Sequence, residues 1–159
     1  MKTLVVYDSL HGNTEKVAKT IGDAIGGEVR VLSAAEANPS ELGTLDLLVV
    51  GSPTHRFKPT AAITSFLKSI PKDTLAGVKV AAFDTRFAES VIARIRILAF
   101  FVKIFGYAAK PIADQLVKKG GQLAVGPEGF CVGDTEGPLL EGEPERAGAW
   151  AKQIVESMK

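Results

Sequence analysis

The sequence of 159 residues contains only one cysteine, Cys131, and two histidines. A single cysteine cannot close an internal disulfide, and so few thiol and imidazole groups predict no bound metal. The first apolar run ends after four residues, so the sequence gives no secretion signal and we expect a cytoplasmic protein. The net charge of +1 excludes the general basic attraction on which nucleic-acid binding depends.

The near-neutral total conceals an uneven distribution of charge along the chain. Residues 1–84 carry nine basic and nine acidic side chains, residues 85–121 carry seven and two, and residues 122–159 carry three and seven. The middle segment is therefore basic and the last segment acidic. Both blocks are consistent with solvated surface or with docking of a partner.

Short apolar runs alternate with stretches of helical periodicity, which is typical of a parallel sheet with helices on both faces. The predicted strands are residues 4–7, 29–31, 47–50, 78–83 and a fifth strand at 122–125 and 130–132, interrupted at Gly126-Pro127. The predicted helices carry apolar stripes within residues 17–25, 62–67, 109–117 and 147–158. The pattern predicts a three-layer, doubly wound α/β domain covering residues 1–159, with an apolar insertion at about 87–106. Such sheets bind ligands beyond the carboxyl ends of their strands.

The segment 8–14 leads from the first predicted strand directly into the first helix. Ser9 and Thr14 offer hydroxyl groups, Asn13 offers an amide donor, and Gly12 permits close approach of the backbone. With the N–H groups of the helix N-terminus, these residues suit a phosphate. The alternative is that they only cap the helix and turn the chain. The loop has no lysine or arginine, which argues against a nucleotide-hydrolysing P-loop.

Two segments resemble the flavodoxin family. Ser9-Leu10-His11-Gly12-Asn13-Thr14-Glu15 is similar to the family's phosphate loop, and Gly51-Ser52-Pro53-Thr54 is similar to its first flavin-flanking loop. The resemblance implies a five-stranded parallel sheet in the order 2-1-3-4-5 and noncovalent binding of FMN. It places Ser9, His11, Asn13 and Thr14 around the phosphate. The chain departs from the family's electron shuttles in having His11 where a hydroxyl residue is usual and in lacking their strongly acidic composition.

Two loops are expected to flank the flavin, and the first is the one that contains Pro53 and Thr54. In the loop from Pro53, backbone groups at Thr54, His55 and Arg56 would meet the polar edge of the ring and Phe57 would cover a face. A cationic Arg56 there would favour the reduced flavin. The alternative is that His55, Arg56 and Lys58 form an exposed turn that does not contact a flavin.

The second of these loops follows the fourth predicted strand. There Thr85 is expected at the polar edge of the flavin. Asp84 and Arg86 are expected either to contact the flavin or to pair with each other.

The segment 90–105 is strongly apolar but is interrupted by Arg94, Arg96 and Lys103. It lacks the roughly 20 consecutive apolar residues that span a bilayer. A helix that is apolar on nearly all sides must be covered by another part of the protein, by a second molecule or by a membrane. A lid over the flavin, a homo-oligomer interface and peripheral membrane attachment are the three alternatives.

The function predicted from this resemblance is that of an FMN-binding redox protein in electron transfer. Its partner would be a redox protein or a small-molecule electron donor or acceptor, and not a nucleic acid. One alternative is an FMN-dependent NAD(P)H:quinone-type oxidoreductase. The other is an interaction module of the same fold that has lost its flavin. The sequence identifies no catalytic residue.

Overall fold

The chain forms a parallel sheet covered by helices on both faces. The computed structural model describes residues 1–88, 92 and 96–159. The strands are β1 (Lys2–Tyr7), β2 (Glu28–Ser33), β3 (Leu47–Pro53), β4 (Lys79–Phe87), β5 (Gln122–Leu123) and β6 (Glu128–Val132). The helices are α1 (Asn13–Ile25), α2 (Ala61–Ser69), α3 (Arg96–Phe105), α4 (Ala109–Lys118) and α5 (Glu143–Ser157), with a 3-10 helix at Pro39–Thr44.

The strands lie in the order β2-β1-β3-β4-β5, and β6 also pairs with β4. β5 pairs with the start of β4, at Lys79 and Val80, whereas β6 pairs with its last five residues, Phe83 to Phe87. The two short strands therefore share the position of one fifth strand. This confirms the predicted order 2-1-3-4-5, and the interruption at Gly126-Pro127 lies between the two pieces.

The central strands each contain a continuous apolar run because each face of the sheet is covered. In β1, Leu4 and Val6 belong to a core shared with α2 and α4. Val5 belongs to a second core shared with α1 and α5, in which Trp150 is only 4% exposed. This is the burial that continuous strand runs predict. β2 lies at the edge of the sheet, and its alternating burial agrees with its alternating sequence.

The fourth strand is longer than predicted, and this corrects the assignment of Asp84, Thr85 and Arg86 to a loop. The strand continues to Phe87 because β6 supplies a hydrogen-bonding neighbour on one side. On the other side β3 extends to Pro53, which pairs with Thr85. The three polar residues thus lie on the rigid sheet at its carboxyl edge.

The apolar insertion is described in part, since residues 89–91 and 93–95 fall outside the described residues and Arg94 is among them. Its described helix, α3, has ten residues. In the part of the chain that the structure describes, no helix has both the length and the apolar character needed to cross a membrane.

Candidate functional site

A cavity of about 280 Å³ opens at the carboxyl edge of the sheet, where β1, β3 and β4 end. Ten of the thirteen predicted site residues line it: His11, Asn13, Thr14, Pro53, Thr54, His55, Arg56, Phe57, Thr85 and Arg86. Ser9, Gly12 and Asp84 do not line the cavity. The volume is near the lower end of the roughly 300–1,000 Å³ typical of small-molecule sites.

The residue that precedes α1 supplies no side-chain cap. Gly12 occupies this position with a φ of 88° and has no side chain that could accept a hydrogen bond from the helix. Ser9 lies behind the loop, where its Oγ accepts hydrogen bonds from the N–H groups of Gly12 (3.0 Å) and Glu15 (3.4 Å). The backbone N–H groups of Asn13 and Thr14 have no acceptor in the described part of the chain. Uncapped donors at a helix N-terminus suit an anion, because the helix dipole adds to their attraction.

The side chains of Asn13 and Thr14 are buried and tie α1 to neighbouring elements. Asn13 Nδ2 donates to the backbone oxygen of Glu136 at 3.1 Å. Thr14 Oγ1 lies 2.8 Å from Thr85 Oγ1, and this hydroxyl pair links α1 to β4. The loop is therefore fixed by its side chains, and the donors left at its end are mainly backbone N–H groups.

A tight turn at residues 55–58 forms the second wall. The backbones of His55 and Lys58 exchange two hydrogen bonds, at 2.8 and 3.0 Å. Between them Arg56 and Phe57 have φ values of 50° and 68°, the left-handed conformation that asparagine and glycine usually occupy in such turns. Each residue so placed costs about 1–3 kcal/mol.

The turn directs Phe57 toward α3. The rings of Phe57 and Phe101 have their centroids 5.9 Å apart, and Val102 of the same helix lines the cavity. Thr54 connects this wall to the others, because its N–H donates to the Thr85 oxygen (2.9 Å) and its Oγ1 accepts from the Ala108 N–H (3.1 Å). The described part of the insertion thus forms one side of the site.

The third wall is built on a buried ion pair. Asp84, with no exposed side-chain surface, accepts from Arg86 Nε and Nη2 at 2.6 Å each. It also accepts from the N–H of Ala109 at 2.9 Å, at the start of α4. Burial raises the pKa of Asp84, and the contacts with Arg86 oppose that rise. Asp84 and Arg86 thus pair with each other, one of the two alternatives open from the sequence.

The pair holds the Arg86 guanidinium in one place. Its Cζ lies 3.7 Å from the centroid of the Tyr107 ring, a cation–π contact. Behind it, a Cβ at Gly129 would fall 2.1 Å from Arg86 Nε, so only glycine fits beneath the guanidinium. Arg86 and Tyr107 therefore form a rigid wall that reaches the cavity.

The electrostatic character of the cavity is positive. Two lining residues, Arg56 and Arg86, are cations, and no lining residue in the described part of the chain is acidic. Asp84 neutralises Arg86 from behind. Arg56, which is exposed, is the lining cation whose charge faces solvent. An anionic ligand with a flat apolar portion fits these walls best.

Sequence reasoning missed seven lining residues: Leu10, Phe87, Ile92, Val102, Tyr107, Val132 and Thr135. Tyr107 had a usable signal, because Gly106 with its φ of 73° ends α3 immediately before an aromatic residue. Phe87 and Val132 are neighbours across β4 and β6. Only the unforeseen extension of β4 brings them to the site.

Comparison with known proteins agrees with this architecture. A family model described as a flavodoxin domain matches residues 4–99, more than half of the chain. An uncharacterized protein of Methanocaldococcus jannaschii is 36% identical over 73 residues, which are 45% of this chain and 47% of that protein. A flavodoxin of Aquifex aeolicus is 40% identical over 58 residues, 34% of this chain and 31% of that protein. The matched segments thus span about half and about a third of these relatives.

Among solved structures, a flavodoxin from the domain Archaea superposes with a TM-score of 0.74. It is 22% identical, and the superposition covers 99% of each chain. At this identity the likeness shows the shared fold.

Proposed function

This chain belongs to the flavodoxin domain family, whose members bind FMN and transfer electrons, and we propose that it binds FMN at the cavity described above and exchanges electrons with a redox partner. The observation that carries the proposal is that the free backbone N–H groups at the N-terminus of α1 lie beside a cavity with a largely apolar surface, which no acidic side chain of the described residues lines. The first suits a phosphate and the second suits a flat aromatic ring.

The residues that line the cavity can be matched to the parts of FMN. The N–H groups of Asn13 and Thr14, with the His11 side chain, would hold the phosphate. Phe57 and Tyr107 would bound the ring system, and Thr54 would lie at its polar edge. When bound, FMN supplies one- and two-electron redox chemistry, and the protein supplies orientation and electrostatics.

The charges of the site favour a ligand that becomes more negative. Arg56 has no acidic partner among the described residues. Its positive charge would stabilise the reduced form of bound FMN, because reduction makes the flavin more negative. Arg56 would therefore raise the reduction potential of the flavin. Arg86 contributes less to the potential because Asp84 offsets its charge at 2.6 Å.

The test is a titration of flavin-free protein with FMN, followed by the quenching of flavin fluorescence. We expect saturable binding of one FMN per chain. Riboflavin is the matched control because it has the same ring and no phosphate. Loss of charge-assisted hydrogen bonds, each worth about 1.5–3 kcal/mol, should weaken its binding at least tenfold. No saturable binding of FMN would remove the proposal and favour the flavin-less interaction module.

A reductase that transfers electrons to a quinone is the second candidate, and the wall that the apolar insertion adds to the cavity favours it. Ile92 and Val102 extend the apolar lining beyond the three strand ends. Mixing the FMN-loaded protein with NADH or NADPH in a stopped-flow instrument separates the two candidates. Rapid bleaching of flavin absorbance supports a reductase, and no bleaching with either nucleotide supports an electron carrier.

The wider setting of the protein belongs to the same proposal. We propose that residues 1–159 act as one domain, without a metal or a nucleic-acid partner. A cytoplasmic location suits a chain with a single cysteine, because structural disulfides belong mainly to oxidising compartments.

A further inference from the structure

The outward side of α3 exposes large apolar side chains next to cations. Ile97 is 68% exposed and Phe100 is 59% exposed, and both lie beside the exposed cations Arg96 and Lys103. At 100° per residue these four side chains fall within an arc of about 120°. We call this arc, formed by Arg96, Ile97, Phe100 and Lys103, the α3 outer face.

Other residues of the helix contact the walls of the cavity. Phe101, which is 38% exposed, packs against Phe57, and Val102 lines the cavity. α3 is therefore held to the mouth of the cavity by one side and presents the α3 outer face to its surroundings. Exposed apolar groups clustered in this way mark an interaction surface rather than ordinary protein exterior.

The charges that the sequence supplies near this face are positive. From residue 90 to residue 113 the sequence contains no aspartate or glutamate. Across the cavity mouth, the 55–58 turn adds the exposed cations Arg56 and Lys58. The occupant of the face must therefore be anionic as well as apolar.

A second copy of the chain does not meet this requirement. A two-fold interface sets the same patch against itself, so the cations of one copy would oppose those of the other. An anionic lipid surface meets both needs at once, because phosphate headgroups pair with the cations while aromatic and branched side chains enter the boundary between headgroups and acyl chains.

We propose that the α3 outer face docks on an anionic lipid surface and holds the mouth of the cavity beside the membrane. The contact is peripheral, since ten residues of helix extend only about 15 Å against a hydrocarbon core of about 30 Å. The inference goes beyond the proposed function and does not require bound FMN.

The test is co-sedimentation of the full chain with vesicles of phosphatidylcholine alone or of phosphatidylcholine and phosphatidylglycerol in equal parts. We expect binding to the mixed vesicles and little binding to the neutral ones. Ile97→Ser/Phe100→Ser should lower the binding constant more than tenfold. The matched control is Val117→Ser/Leu123→Ser, which changes residues of 46% and 38% exposure at the opposite end of the sheet and should bind like the wild type.

A second pair of variants tests the charges. Arg96→Gln/Lys103→Gln should lower binding to mixed vesicles roughly 25-fold, since each cation near such a surface contributes about fivefold. Lys72→Gln/Lys118→Gln removes the same net charge from exposed positions near the opposite end of the sheet and should have a much smaller effect. Thermal melting of each variant verifies that it is folded.

Three results would overturn the inference. One is no binding to mixed vesicles, which would indicate an acidic protein as the partner of the α3 outer face. Another is binding that the α3 variants do not weaken. The third is a wild-type dimer in sedimentation velocity that Phe100→Ser dissociates, which would assign the face to a second copy. FMN titration of the same samples shows whether the flavin site is intact, so failure of docking is separate from failure of the proposed function.

Discussion

The buried pair of Asp84 and Arg86 makes a quantitative prediction. Asp84→Asn keeps the shape of the side chain but leaves the guanidinium, with 24% of its side chain exposed, without a counter-charge. Removing one partner of a fully buried pair costs about 3–5 kcal/mol. Because Arg86 keeps some contact with water, we expect Asp84→Asn to lower the free energy of unfolding by about 2–3 kcal/mol. In a domain of this size, that loss lowers Tm by roughly 4–12 °C.

The reasoning is tested by a double-mutant cycle. Urea unfolding can be followed by the fluorescence of Trp150, the single tryptophan, which is buried in the α1/α5 core. Asp84→Asn/Arg86→Met should be more stable than Asp84→Asn alone, since no buried charge then lacks a partner. An Asp84→Asn protein within about 0.5 kcal/mol of the wild type would refute the assignment of the pair as a structural unit.

The pH dependence of Arg86→Met gives a second measurement on the same pair. Arg86 lowers the pKa of Asp84 against the rise caused by burial. Without Arg86, the folded-state pKa rises further above the ordinary value, and the folded state binds more protons than the unfolded state. Stability of Arg86→Met should therefore increase as the pH falls from about 7 toward about 4, and should increase more steeply than in the wild type.

Other predictions concern the remaining walls and α5. Thr85→Val leaves the buried Thr14 hydroxyl without its partner and should lower the unfolding free energy by about 1–2 kcal/mol in urea, whereas Thr14→Val/Thr85→Val should recover part of that loss. Arg56→Asn should raise Tm by about 1–3 °C in calorimetry, because asparagine tolerates a φ of 50° better than arginine; an unchanged or lower Tm would contradict the strain at this turn. The pKa of Glu143 lies below its usual value of 4.5 because Arg146 pairs with it, so its carboxylate stabilises the fold above about pH 4.5 and this contribution disappears as the pH falls through the lowered pKa. Acid titration of Glu143→Gln should accordingly show a shallower loss of stability below pH 4.5 than the wild type.

Much of the fold could be predicted because burial on two faces leaves a plain trace in the sequence. The runs in β1 and β3 have no polar interruption, and β2 alternates because it lies at an edge. The order of the sheet came from the resemblance of two loops to one family. The structure agrees with that order.

The carboxyl half of β4 could not be predicted by the same reasoning. Asp84 and Arg86 are charged, and charged residues after an apolar run indicate a loop. They continue the strand because their own ion pair and two partners distant in the chain, the Ala109 N–H and the neighbouring strand β6, compensate them. Such compensation depends on tertiary contacts that a local pattern does not contain.

A phosphate loop is predicted from the residue types of the segment 8–14, and the geometry divides the roles of these residues. Hydroxyl and amide side chains indicate an anion site, yet Ser9 and Thr14 have their oxygens engaged by other protein groups. The donors that remain are largely backbone N–H groups, which every sequence contains and no sequence pattern displays. The position of α3 beside the cavity could not be predicted, because packing of Phe101 on Phe57 joins residues far apart in the chain.

The division of the fifth strand into two short pieces bears on self-assembly. A continuous strand at this border of the sheet would present a long row of unpaired N–H and C=O groups, a template for sheet-to-sheet growth into aggregates. Residues 124–127 separate a pair of residues in β5 from five in β6, and Leu140 N–H is already bonded to Cys131. Neither piece is long enough to nucleate a fibril-like ladder. The break in the fifth strand therefore protects the molecule from association along this border.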